Sequence, residues 1–341
     1  MISTRELAEL AGVSQSTISR CLNDHPSISY ETKERVRKLA LQYGYVDRPK
    51  GRKALLSKQR RTIGILITGR PFFDDLFINY TLNLLMTKAA EKNYYTIPLP
   101  LSTHEEGGLE RLQDLIRLNI VDSFIILHRH FDLELHQYLT EIGIPHVYLL
   151  HCSRNSYQAV DIVDSDNYAG GYLAAQHLIH HGHKNILTVT CPYREFEDRT
   201  NGYLQALTES NIPYRKDFVL TVDASYESAY HAVQNNLQLI SQVSAVYVQS
   251  DILTLGIANA LQDAGFCIPE EISIVGSDGY ELGAISHPQF DSVAHPIGEL
   301  ADLAIARLVE IGEKKQQTPR QIILRPYIIE RGSVAAKKQT M

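Results

Sequence analysis

The sequence predicts an N-terminal all-α helix-turn-helix domain followed by a two-lobed α/β domain with parallel sheets. Three short helical patterns fill the first 47 residues. From Thr62 onward, short apolar runs alternate with helical patterns, which is typical of parallel strands joined by crossover helices. This alternation occurs in two successive series, so we expect two similar lobes.

The composition agrees with a protein of this kind. A chain of 341 residues is long enough for two or three domains, and 44% hydrophobic with 21% charged residues is typical of a globular protein. No apolar stretch approaches the roughly 20 residues of a membrane helix, and Arg5, Glu6 and Glu9 occupy the place of a signal peptide's apolar run. The four cysteines lie far apart without a CxxC pair, which indicates reduced thiols. We therefore expect a cytoplasmic protein with no membrane contact and no metal.

The charge is distributed unevenly between the two predicted parts. Residues 1–61 hold thirteen of the 33 basic residues and six of the 39 acidic residues, a net charge of +7. The rest of the chain therefore carries −13. A basic head joined to an acidic body favours a head that binds DNA or RNA, although a basic arm can also be merely solvated.

The head contains a helix, a turn and a second helix, followed by a third helix. Gly12 interrupts the first pattern, as a tight turn requires, and Ser14 is a good N-cap for the second helix. Ser29 can cap the third helix, and Gly44 is placed to end it. The predicted helices are residues 4–11, 15–22 and 30–43, with inward positions Leu7, Ala8, Leu10, Ala11, Ile18, Leu22, Val36, Leu39 and Ala40.

The start of the second helix carries a cluster of small polar side chains. In a DNA-binding helix-turn-helix this helix enters the major groove, with its first residues at base edges. A plain three-helix bundle with a solvated face is the alternative. The candidate DNA contacts are Ser14, Gln15, Ser16, Thr17, Ser19 and Arg20.

The segment ELAELAGVSQSTISRCLNDHPSISYETKERVRKLALQYGY resembles, without a gap, the N-terminal signature of the lactose-repressor/galactose-repressor (LacI/GalR) family. The resemblance places Gln15 and Ser16 at the main base-reading positions and Arg20 at the arginine base contact. Ser14, Thr17, Ser19 and Asn23 fall where the family contacts the backbone or supports the helix. It implies a bacterial repressor that binds a pseudo-palindromic double-stranded DNA operator as a homodimer.

A basic linker follows at residues 48–61, with seven basic and no acidic residues. Such a segment is disordered when free and gains phosphate contacts on DNA. In the family it forms a hinge helix whose leucine wedges into the minor groove. Leu55 is the candidate wedge, with Leu56 beside it. An extra residue after Tyr45 and the presence of Gly51 depart from the family pattern, and an ordinary flexible linker is the alternative.

The body is expected to span residues 62–333, with a tail at 334–341. We expect lobe 1 at about 62–160 and 291–319, lobe 2 at about 161–290 and 320–333, and chain crossings near 161, 290 and 320. The expected strands are 63–67, 94–99, 123–127, 146–150, 185–190, 218–222, 245–249, 272–276 and 321–329. The expected helices are 75–92, 108–119, 133–142, 166–181, 197–210, 226–240, 252–264 and 299–312.

In open parallel sheets a ligand lies at the carboxyl ends of the strands, so two facing lobes enclose it in a cleft. The family resemblance extends more weakly over the body and implies a periplasmic-binding-protein-like fold with a sugar as effector. Arg199 would form forked hydrogen bonds to hydroxyls or a carboxylate, and Asp278 would accept sugar hydroxyls. A structural salt bridge is the alternative for both. The effector candidates are Thr68, Phe72, Phe73, Leu150, Arg199, Ser250, Asp278 and Tyr280, where Leu150 and Ser250 replace residues usual in the family.

Other signals carry less. HLIHHGH at 177–183 resembles a metal site, but its position at a helix end favours a structural turn. No nucleophile elbow, phosphate loop or GxGxxG motif is present. We therefore predict no enzyme activity and no cofactor. The alternatives are a cytoplasmic sugar-binding protein without gene regulation and an α/β enzyme with a nucleic-acid-binding appendage.

Overall fold

A computed structural model describes residues 4–22, 25–43, 61–68, 75–100, 108–128, 132–150, 160–313 and 318–337. The chain divides into two compact units, residues 1–61 with 111–120 and residues 62–110 with 121–341. Among the described residues no helix is long and apolar enough to span a membrane.

The head holds the three predicted helices, α1 (Thr4–Ala11), α2 (Gln15–Leu22) and α3 (Tyr30–Gln42). Gly12 adopts φ +63° between the first two, which is the left-handed conformation that glycine permits without strain. The side chain of Leu10, expected to face inward, is 48% exposed instead. The buried core consists of Leu7, Ala8, Ala11, Ile18, Cys21, Val36 and Ala40.

The first lobe is built on a fully parallel six-stranded sheet. Apolar residues of its strands and of the last long helix form one buried cluster. Its elements are β1 (Thr62–Thr68), α4 (Leu76–Glu91), β2 (Tyr95–Pro100), β3 (Ser123–His128), α6 (Leu133–Glu141), β4 (His146–Leu149), β5 (Ile162–Ser165), α13 (Ile297–Glu313) and β11 (Gln321–Leu324). The helix α5 (Gly108–Arg117) follows β2 in the chain, and its residues from Arg111 onward belong to the first compact unit.

The second lobe repeats this plan with one antiparallel edge strand. Two buried clusters cover the two faces of its sheet. Its elements are α7 (Asn167–His180), β6 (Ile186–Thr190), α8 (Arg194–Glu209), a 3₁₀ turn (Lys216–Phe218), β7 (Val219–Thr221), α9 (Tyr226–Asn235), α10 (Leu237–Ile240), β8 (Ala245–Val248), α11 (Asp251–Asp263), β9 (Ser273–Asp278), α12 (Leu282–Ile285), β10 (Asp291–Ala294) and β12 (Tyr327–Ile329).

The strand orders are the same in both lobes. The first sheet runs β2-β1-β3-β4-β5-β11 and the second runs β7-β6-β8-β9-β10-β12. All neighbouring pairs are parallel except β10 with β12. In this winding the order reverses beside β1 and beside β6, and ligands bind at the strand carboxyl ends near such a point. The fold therefore confirms the predicted two-lobed parallel architecture.

The chain crosses between the sheets slightly later than expected. β5 belongs to the first sheet and β10 to the second, so the crossings follow Ser165, Ala294 and Leu324. Neither strand is predicted from the sequence, because both are four-residue segments with buried polar residues and no alternation. The single strand expected at 321–329 is wrong. It is two strands in different sheets, separated at Arg325 and Pro326, since proline removes a ladder donor.

Candidate functional site

The second helix of the head presents the predicted polar surface. Ser14 Oγ accepts a hydrogen bond from the Thr17 backbone N–H at 3.1 Å, which caps α2. The same hydroxyl lies 2.8 Å from those of Ser16 and Thr17. The side chains of Ile18 and Cys21 hold the helix to the core, while those of Ser14, Gln15, Ser16, Ser19 and Arg20 are exposed and that of Thr17 is half-buried.

These exposed side chains are accessible to a partner, and DNA contact by them stays a prediction. Gln15 and Ser16 lie in the first turn of α2, and Arg20 lies one turn later on the same exposed side. Asn23 and the hinge leucine Leu55 lie outside the described residues.

In the body, the predicted residues Arg199, Ser250 and Asp278 meet at the carboxyl edge of the second sheet. The guanidinium of Arg199, on α8, lies 3.5 Å from Asp278 Oδ1 at the end of β9, and both side chains are nearly buried. Asp278 Oδ2 accepts hydrogen bonds from Ser250 Oγ at 3.0 Å and from the Asp251 backbone N–H at 3.1 Å. The carboxylate thus faces the N-terminus of α11, where the helix dipole favours negative charge.

Asp278 is held in an unusual state. Its φ is +125°, a backbone region that non-glycine residues avoid, and such strain persists where surrounding contacts enforce it. Burial raises its pKa to about 6 against the opposing effect of Arg199. The neighbouring Asp251 is also buried and accepts from Ser292 Oγ at 2.7 Å and from the Gly279 N–H at 2.9 Å. Strain and a raised pKa together mark a candidate binding site.

The guanidinium of Arg199 contacts three further acceptors. Its Nε donates to Asn167 Oδ1 at 2.9 Å, its Nη1 donates to the Gln249 carbonyl oxygen, and its Nη2 donates to His295 Nε2 at 3.2 Å. Sequence patterns do not identify Asn167, Gln249 and His295 as site residues. Their partners are far apart in the chain, so no local pattern identifies them.

Aromatic rings from both lobes converge beside this cluster. Tyr280, from the second lobe, stacks on Tyr80 of α4 with ring centroids 5.8 Å apart and lies 6.5 Å from Phe77. Phe77 also packs against His295, with ring centroids 6.0 Å apart and ring planes at 63°. The aromatic effector candidates Phe72 and Phe73 lie outside the described residues.

The structure places the remaining candidates at the first sheet. Thr68 ends β1 beside the end of β3 in the register of the sheet. Leu150 follows β4 in a left-handed conformation at φ +55°, and its side chain packs against the first-lobe core rather than joining the cluster around Arg199. No group of three metal-binding side chains is present among the described residues.

Comparison with known proteins agrees with both halves of the chain. Residues 3–47 match the model of bacterial regulatory proteins of the lacI family, and residues 175–334 match that of a periplasmic binding protein-like domain. The transcriptional regulator CelR of Thermobifida fusca is 28% identical, over 96% of both chains. The transcriptional repressor PurR of Aliivibrio salmonicida is 27% identical, over 98% of this chain and 99% of its own.

A solved structure of a CelR–cellobiose complex superposes with a TM-score of 0.71 at 26% identity, over 98% of this chain and 100% of its own. The similarity therefore extends over the head and the body in the same order. The chain therefore combines a helix-turn-helix head of the lacI family of bacterial regulatory proteins with a two-lobed periplasmic-binding-protein-like body, and it is similar over its length to transcriptional regulators built in the same order.

Proposed function

We propose that the protein is a DNA-binding transcriptional repressor whose affinity for its operator is set by a neutral sugar bound beside Arg199 and Asp278. The observation that carries the proposal is the buried Arg199–Asp278 pair at the carboxyl edge of the second sheet, next to aromatic rings from both lobes. Forked donors and a carboxylate acceptor match adjacent hydroxyls, and aromatic faces match the apolar face of a sugar ring.

Charge favours a neutral effector over an anionic one. The Arg199 guanidinium already faces Asp278, so a ligand anion would compete with that carboxylate. Burial raises the pKa of Tyr280, and the negative potential of Asp278, Asp251 and Asp75 raises it further. A phosphate or carboxylate group would meet this potential. A sugar without a charged group meets only hydrogen-bonding partners.

The two lobes supply the means of control. A ligand that contacts Arg199 of one lobe and the α4 aromatics of the other favours lobe closure. A change in closure alters the spacing of two heads in a dimer, and such coupling is typically worth about 1–3 kcal/mol. We place the protein in the cytoplasm as a homodimer on a pseudo-palindromic operator, because one small head reads too few base pairs for useful specificity.

Gel-shift binding to the DNA upstream of the protein's own gene tests the proposal. The titration is made at fixed salt, because phosphate contacts make affinity strongly salt-dependent. Cellobiose and other neutral sugars are compared with a sugar phosphate and a planar nucleobase. A neutral sugar that changes the midpoint supports the proposal. A response only to the sugar phosphate would overturn the neutral effector, and a response only to the nucleobase would replace the sugar.

A further inference from the structure

His295 connects the candidate site to a crossing between the two lobes. It follows β10 at the second crossing between the lobes, and its side chain is buried. One ring nitrogen, Nε2, lies 3.2 Å from Arg199 Nη2, and the other, Nδ1, lies 2.7 Å from Ser165 Oγ. Ser165 is the last residue of β5, where the chain makes its first crossing. The imidazole therefore joins the effector arginine to a neighbouring crossing strand.

The chemistry of these partners fixes the protonation of the ring. An arginine side chain is a donor only, so Nε2 must accept and carries no proton. A neutral imidazole then carries its proton on Nδ1, which donates to the Ser165 hydroxyl. Burial and the charge of Arg199 both hold the pKa of His295 well below its usual range, in keeping with a neutral ring.

A second path leads from the same arginine to the same serine. Arg199 Nε donates to Asn167 Oδ1 at 2.9 Å, and Asn167 Nδ2 donates to the Ser165 carbonyl oxygen at 3.4 Å. The guanidinium is thus bound on two sides to the end of β5. The third crossing is joined to this point as well, because the Asp166 N–H donates to the Leu324 carbonyl oxygen at 2.9 Å.

We propose that His295 is a positioning residue that orients the Arg199 guanidinium toward the effector and ties it to Ser165 at the lobe crossing. The role rests on the proposed function, because that function assigns Arg199 to the effector. A displacement of the guanidinium by a bound sugar is then passed through the imidazole to the hinge. Gln at this position can replace both bonds, since its amide oxygen accepts and its amide nitrogen donates, whereas Phe can replace neither.

The chain contains a matched control in a second buried histidine. His183 Nδ1 lies 2.9 Å from Ser244 Oγ, so it also faces a serine hydroxyl, but its Nε2 lies 3.0 Å from the Ala335 carbonyl oxygen. A carbonyl oxygen only accepts, so Nε2 of His183 must carry the proton. The two buried histidines are therefore expected in opposite tautomers.

Nitrogen NMR of the full chain, with isotopically labelled histidine, tests the predicted tautomer of His295 without any sugar. His295→Gln and His183→Gln assign the two rings by loss of signal. We expect Nδ1 of His295 to be protonated and its Nε2 to be unprotonated. For His183 we expect a protonated Nε2 and an unprotonated Nδ1. A protonated Nε2 on His295 overturns the proposal. Because no sugar or DNA is present, this result is independent of the proposed function.

The guanidinium of Arg199 reports its positioning by His295. Its Nη protons, assigned with Arg199→Lys, should exchange about tenfold faster in His295→Phe, as loss of one hydrogen bond predicts. They should return to the wild-type rate in His295→Gln. Ser165→Ala should also speed exchange, while the control Ser244→Ala should not. Unchanged exchange in folded His295→Phe and Ser165→Ala would show that His295 only fills space.

Discussion

The guanidinium of Arg199 and the carboxylate of Asp278 lie 3.5 Å apart with only 6% and 5% of their side chains exposed. The residues are 79 positions apart in sequence, and each is fixed by further bonds, Arg199 to Asn167 and Asp278 to Ser250. A buried pair of this kind is weak evidence for stability, because desolvation offsets much of the attraction. Its place at the strand carboxyl ends favours a binding role instead.

Arg199→Lys should preserve the positive charge and abolish the planar set of hydrogen bonds that the guanidinium donates. Lysine is a point charge with three donors and cannot reach the several acceptors that the guanidinium binds in one plane. We expect the effector concentration for half-maximal response to rise at least about tenfold, since one charge-assisted hydrogen bond is worth about 1.5–3 kcal/mol. Effector titration of a protein–DNA complex measures this. Wild-type sensitivity in the lysine variant would contradict the assignment.

The response to effector should depend on the ionisation of Asp278. Burial raises its pKa to about 6, so the carboxylate is ionised above this value and increasingly protonated below it. An ionised carboxylate accepts sugar hydroxyls better than a protonated one. We therefore expect effector affinity, measured by calorimetry, to weaken as pH falls from 7.5 to 5.

Asp278→Asn is the matched control for that pH dependence. The amide has no titration in this range, so its weak residual binding should be flat with pH. A wild-type profile that is equally flat would show that Asp278 does not contact the effector.

The sequence predicted the architecture better than the site. Alternation of apolar runs and helical patterns identified most of the strands, because a buried parallel strand leaves a continuous apolar run. The strands β5 and β10 were not predicted, because the buried polar residues Asp164, Ser165 and Asp291 break such a run. Their burial depends on partners from other parts of the chain, as when Asp291 accepts from the backbone N–H groups of Arg331, Gly332 and Ser333.

The site residues also divide into those that the sequence predicts and those that only the structure reveals. Family resemblance pointed to Arg199, Ser250 and Asp278, which the structure brings together. His295 carries no local signal, because its bonds reach Arg199, 96 positions away, and Ser165, 130 positions away. Phe77 and Tyr80 were missed because aromatic residues on an amphipathic helix are usually core, and only the meeting of two lobes brings them to Tyr280.

Gly202→Ala should disturb the helix that carries Arg199. A Cβ at Gly202 would lie 1.9 Å from the Tyr168 carbonyl oxygen, so α7 and α8 would have to separate. We expect a loss of about 1–3 kcal/mol in the free energy of unfolding, as for other overpacked positions. Gly298→Ala is the control, because a Cβ there has no atom within 4 Å and alanine favours a helix. Equal denaturation midpoints for the two variants would contradict the close packing.

Arg20→Ala should lower operator affinity by about 1–3 kcal/mol and relax preference at one base pair. The side chain is exposed on α2 and free of the head's core, so folding should be unaffected. Arg5→Ala removes the same charge from α1, where Arg5 pairs with Glu9, and should weaken binding much less. Fluorescence anisotropy with operator variants measures both. Similar losses for the two variants would indicate a general charge effect without base reading.

Asp164→Asn should stabilise the protein at alkaline pH. Burial raises the pKa of Asp164 to about 7, far above its unfolded value. The folded state therefore keeps a proton on Asp164 that the unfolded state releases. This raises the free energy of unfolding fully below about pH 4, and the contribution is lost as pH rises toward 7, by up to about 1.4 kcal/mol per pH unit. In urea unfolding, the free energy of unfolding of Asp164→Asn relative to wild type should be higher at pH 8 than at pH 5. A constant difference between the proteins would refute a raised pKa.

The central claim is that a ligand beside Arg199 and Asp278 sets DNA affinity at the head. The most direct test is the operator dissociation constant of full-length wild type and Asp278→Asn at fixed salt, each with and without the neutral sugar that shifts wild-type binding. We expect equal affinities without sugar and a shift of at least about fivefold in wild type only, as a coupling of 1 kcal/mol implies. An equal sugar-induced shift in both proteins would contradict the account.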